Sequence, residues 1–104
     1  MAFDIDQTIS DMASAISGVI TDEWPAVKEC VEKALDDEKE ALLDIAQARI
    51  NNEITDDDVK SNLEDEKVVL EAALLACQVK AKVMAQNAVN AAINVLKTAI
   101  KAAL

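Results

Sequence analysis

The sequence predicts an all-α protein, a long antiparallel helical hairpin whose first arm is broken near residues 18–25 and which assembles into a helical bundle. Three observations carry this expectation. Of the 54 apolar residues 19 are alanine, and Leu, Glu, Lys and Gln supply much of the remainder, so the chain is built from strong helix formers. One Gly and one Pro in 104 residues leave little from which to build turns. Apolar residues recur at steps of three and four, the period of one helix face. The whole chain, residues 1–104, reads as a single helical unit with helices at about 4–20, 24–50 and 56–103.

In the first segment Ile5, Ile9, Met12, Ile16 and Val19 alternate with Asp, Ser and other small polar residues, which makes an amphipathic helix. Gly18 weakens its last turn, Thr21 and Asp22 offer a cap for the next helix, and Pro25 fits only within that helix's first turn. Trp24 is placed to staple the start of the second helix. That helix carries Val27, Val31, Ala34, Leu35, Leu42, Ile45 and Ile50 as its apolar stripe, with Glu38 interrupting it. Asn51-Asn52-Glu53 is the strongest turn signal in the chain. Thr55, followed by Asp56, Asp57 and Asp58, caps the third helix and complements its dipole.

No Gly or Pro follows residue 56, so the third helix is expected to run unbroken to the end, about 70 Å at 1.5 Å per residue. Two stripes run along its second half. One carries Val68, Leu75, Val79, Val83, Val89, Ile93, Leu96 and Ile100; the other is smaller, with Leu70, Leu74, Cys77, Ala81, Ala85, Ala88, Ala92 and Ala99. An arc this wide needs a second neighbour besides the hairpin's other arm. Two solutions exist: the first helix folds back to give a three-helix bundle, or two hairpins pair into a four-helix bundle. The dimer is the favoured expectation, with Val79, Val83, Val89, Ile93, Leu96 and Ile100 as its interface.

The net charge of −10 is unevenly spread. All twenty acids lie between Asp4 and Glu71, giving −14 over residues 1–71 and +4 over residues 72–104. This balance argues against direct binding to a nucleic-acid backbone. The polar residues that interrupt the apolar stretch 68–104 argue against a membrane span. No signal peptide is visible, so the expected location is cytoplasmic.

The chemistry-bearing residues are few. There is no histidine and no tyrosine, so metal, cofactor and general acid–base sites lack their usual members, and the expectation is a protein without cofactor or catalytic activity. Cys30 and Cys77 sit at the same level of a hairpin centred near residue 53. Buried free thiols and a disulfide are the two readings. Asp36, Asp37, Glu40 and Asp44 form an acidic surface that reads either as a solvated face or as a mimic of phosphates. Leu35-Asp36-Asp37-Glu38-Lys39 resembles Leu63-Glu64-Asp65-Glu66-Lys67 at a spacing of 28 residues, four heptads. Asn87, Asn90 and Asn94 share one side of the last helix, exposed or set into a polar seam.

Two functions from different classes follow. The first is a non-enzymatic helical interaction or assembly protein, a bundle-forming homo-oligomeric subunit or an adaptor, whose partner is itself or another protein. The alternative is an acidic inhibitor that covers a basic, nucleic-acid-binding surface of a partner.

Overall fold

The structure, a computed structural model, describes residues 3–104. Five helices follow one another: α1 (Ile5–Ile20), α2 (Trp24–Asp37), α3 (Lys39–Ile50), α4 (Asp56–Ala76) and α5 (Lys82–Ala103). No strand occurs among the described residues. α2 and α3 are one bent arm, so the molecule is an up-and-down bundle of four rods, 39 × 23 × 19 Å. α1 packs chiefly along α5 and also against α2; α4 packs against α5 on one side and the α2–α3 arm on the other.

Each boundary has a local cause. The Asp4 carboxylate accepts from the Gln7 N–H at 3.1 Å and starts α1. Thr21 ends it with a positive φ of 47°, and a single 3-10 turn (Thr21–Glu23) leads into α2, where Pro25 sits in the first turn. Thr21 thus closes α1 instead of capping α2, whose first turn has no side-chain cap. At Glu38 the backbone N–H is shared between the carbonyls of Ala34 and Leu35, at 3.3 and 3.2 Å, and the arm bends there. Helix two of the sequence reading is therefore two helices.

The 51–53 turn is a Schellman motif. Asn52 has φ 59°, its N–H donates to the Arg49 carbonyl at 3.1 Å, and the Glu53 N–H donates to the Ala48 carbonyl at 2.8 Å. Thr55 and Asp58 then form a complete capping box at the start of α4.

The expected unbroken third helix is corrected. It ends at Ala76, turns through residues 77–81 and restarts at Lys82. A second Schellman motif ends α4: Gln78 has φ 76°, its N–H donates to the Leu75 carbonyl at 3.1 Å, and the Val79 N–H donates to the Leu74 carbonyl at 3.2 Å. Val79 and Leu74, the positions whose apolar contact accompanies this motif, are both 2% exposed. The physical reason is burial. A 70 Å rod leaves one stripe in water, and folding at 77–81 lets α5 return beside α4 and meet α1.

That turn also corrects the proposed interface. Val79, Val89, Ile93, Leu96 and Ile100 are at most 3% exposed within the single chain, and only Val83 faces solvent. The buried face of α1 (Met12, Ala13, Ile16, Ile20) covers the second stripe, so the burial that motivated a dimer through these residues is met inside one molecule. Ala85, Ala88 and Ala92 of α5 are wholly buried, and their small side chains give α5 a low-relief face toward its neighbours.

Candidate functional site

The two arms α2–α3 and α4 meet along a seam whose residues match at the four-heptad spacing far beyond the five-residue repeat. Val31, Leu35, Leu42 and Ala46 on one arm correspond to Val59, Leu63, Leu70 and Leu74 on the other, and all eight are buried. Between them, at the same register, stand Glu38 and Glu66. A carboxylate thus occupies the central seam position of each arm, where every other member is apolar.

The two carboxyls face each other, and both residues are half-buried. Among the described residues no donor reaches Glu66 Oε2, which is buried. Burial, then the hydrogen-bonding contact and charge of Glu38, then the charge of Asp65, push the Glu66 carboxyl up to about 7. The neighbouring lysines are drawn elsewhere: Lys39 pairs with Asp6 of α1, and Lys67 with Glu64 at 3.2 Å. The Asp6 contact raises the Lys39 ammonium above its ordinary value. Among the described residues no cation pairs with either carboxyl, and a proton is the group whose chemistry fits between two acceptors.

A second feature closes the other end of the arms. Cys30 in α2 and Cys77, the residue capping α4, form a disulfide with Cα atoms 5.6 Å apart. The shared level of the two cysteines places them correctly, and the bonded reading is the one realised. Cys77 is 7% exposed, while Cys30 lies on the exposed side of α2.

The remaining candidates are spread over the surface. Asp36, Asp37, Glu40 and Asp44 are all exposed, with Asp37 paired to Lys33 at 3.4 Å, as on a solvated helix face. Among the described residues no group of three or more His, Cys, Asp or Glu is arranged to hold a metal ion. Asn87, Asn90 and Asn94 are exposed on α5. Trp24 is half-buried and lines an open groove of about 770 Å³ between α1 and α2, together with Ser10, Ser14, Ser17 and Lys28. Arg49 braces the 51–55 turn, donating to Asp56 at 2.7 Å and Asn52 at 3.2 Å, and its guanidinium holds the Asp56 carboxyl below the usual range.

Sequence reasoning missed the outer face of α4. Val68, Val69 and Leu75 are 69%, 44% and 38% exposed, with Ala72 and Ala76 exposed among them. The signal was available: these residues cluster on the side opposite Leu63, Leu70 and Leu74 once a helix wheel is drawn for α4 alone. Assigning a continuous helix merged Val68 and Leu75 with the buried valines of α5.

No helix among the described residues is long and apolar enough to cross a membrane. The chain matches no protein-family model, and neither a curated protein nor a solved structure is significantly similar to it.

Proposed function

We propose that the protein is a non-enzymatic helical assembly protein that pairs with a second copy of itself through the outer face of α4. The observation that carries this reading is the exposed apolar strip of Val68, Val69, Ala72, Leu75 and Ala76, on the side of a helix whose other face is already in the core. Outward positions of α3 are instead Glu40, Asp44 and Gln47.

Charge favours a second copy as the occupant. In an antiparallel contact of α4 on α4 centred near Ala72, Glu64 and Asp65 of one copy come opposite the Lys80–Lys82 corner of the other. Such a contact is two-fold symmetric and closes on itself. The Cys30–Cys77 bond bears on where this happens. Structural disulfides persist in oxidising compartments, which supports such a location over the cytoplasmic expectation.

Sedimentation equilibrium tests the reading. The unaltered protein should sediment as twice its 11.2 kDa mass, and the double variant Val68→Asp, Leu75→Asp should sediment as a monomer with unchanged far-UV helicity. A monomer for the unaltered chain at about 100 μM removes self-assembly through α4.

A further inference from the structure

We propose that Glu38 and Glu66 form a proton-operated latch between the two arms of the bundle, closed while one proton is shared by their carboxyls and loosened when that proton leaves to solvent.

The placement comes first. The pair occupies the middle of a seam whose matched neighbours on either side, Leu35 and Leu42 on one arm and Leu63 and Leu70 on the other, are each no more than 2% exposed. Equivalent residues of a repeat that face each other across antiparallel arms lie at the local two-fold between them. One of them, Glu38, also sits at the bend between α2 and α3, where the helical hydrogen-bond ladder is already interrupted.

The hydrogen bonding comes second. Glu66 Oε2 is buried without a donor, and the group facing it is another acceptor. With both carboxyls ionised, the seam holds two like charges and an unsatisfied buried oxygen, each unfavourable where solvent only partly reaches. A single proton converts one acceptor into a donor and removes both costs.

The described residues around the pair do not supply a competing cation. Glu66 feels Glu38 from the facing arm and Asp65 from its own helix, both of which favour proton uptake. On the α2–α3 side Asp36 and Asp37 add negative charge, and Lys39 is engaged by Asp6 of α1. On α4, Lys67 is engaged by Glu64. α5 carries no charged residue between Lys82 and Lys97. The raised Glu66 carboxyl places the transition near neutral pH.

The test uses the intact, disulfide-bonded chain. Carbon-detected NMR of the glutamate carboxyls from pH 4 to 9 should show Glu66 titrating well above the other glutamates. Amide hydrogen exchange, corrected for its intrinsic pH dependence, should accelerate about tenfold or more between pH 6 and 8.5 at Leu42, Leu63 and Leu70, leaving the centre of α1 unchanged. Glu66→Gln and Glu38→Gln should each abolish that acceleration, while Glu64→Gln, on the exposed side, should retain it. Glu66 titrating with the surface carboxylates overturns the proposal. So does a pH-independent protection pattern, or an acceleration that survives in Glu66→Gln. The carboxyl titration of the unaltered chain decides the matter even where a variant fails to fold.

Discussion

Cys30 is bonded to Cys77 across 47 residues of chain, and this link joins the middle of α2 to the residue at which α4 stops. Everything between them, the bend at Glu38, the 51–55 turn and all of α4, lies inside the closed loop. Cross-linking a loop of this length reduces the freedom of the unfolded chain. Cys30→Ala combined with Cys77→Ala should lower stability by about 2 to 4 kcal/mol, or roughly 10 to 20 °C in melting temperature. Denaturant titration of the two forms checks this, with a two-dalton mass gain on reduction as the control for the bond.

Gln78 adopts a left-handed backbone that suits glycine better than any branched or long side chain. Gln78→Gly should therefore stabilise the protein by roughly 0.5 to 1 kcal/mol, the relief of the strained φ outweighing the added freedom of the unfolded chain. Asn52→Gly should gain less, because asparagine tolerates the same region. Thermal melts of both variants in parallel give the ranking.

These positions also explain how much was legible in the residues alone. Thr55 with its acidic first turn, the Asn51-Asn52 turn, Pro25 in the first turn of α2 and the common level of the cysteines all carry local chemistry that reads directly. The 77–81 turn does not, since Gln78 is neither Gly nor Asn and the residues around it are good helix formers. Tertiary burial of Val79 and Leu74 overrides their local preference. The carboxyl pair was half-legible: the repeat is visible, but the facing of Glu38 and Glu66 needs the register of both arms.

Loss of Thr55 should be felt locally. Its hydroxyl accepts from the Asp58 N–H at 3.2 Å while the Asp58 carboxylate accepts from the Thr55 N–H at 3.0 Å. Thr55→Ala removes the hydroxyl half of the box, while the backbone N–H of residue 55 can still donate to Asp58, and should cost about 1 kcal/mol, with faster hydrogen exchange confined to the first turn of α4.

The face that α5 turns into the core is set by alanine. Ala92 is wholly buried, so Ala92→Leu forces three further heavy atoms into a filled space and should destabilise by about 1 to 3 kcal/mol. Ala91→Leu, one position away and half-buried, should cost less. Equal losses for the two would argue against the close packing of α5.

The raised Glu66 carboxyl sets the sign of a pH effect. A folded-state value of about 7 against 4.5 for the free group means that the folded protein binds this proton more tightly. The contribution to stability is full below about 4.5 and lost as pH rises through 7. Glu66→Gln should therefore be more stable than the unaltered chain at pH 8, by about 1 to 2 kcal/mol after solvent screening, and show no such gain at pH 4.5. The comparison removes the general relief of charge repulsion that acidification brings to a chain of net charge −10, since both proteins share it at low pH.

The distance between residues 57 and 101 distinguishes the closed bundle from an extended rod. Asp57 and Lys101 border the same surface hollow, with the start of α4 beside the end of α5. In one continuous helix they would stand about 66 Å apart at 1.5 Å per residue. Pulsed electron spin resonance between labels attached at these two positions through non-cysteine chemistry, with the native disulfide intact, should give a distance below about 25 Å, short enough only if the chain turns between α4 and α5. A single population beyond about 55 Å would contradict the turn at residues 77–81 and the bundle built on it.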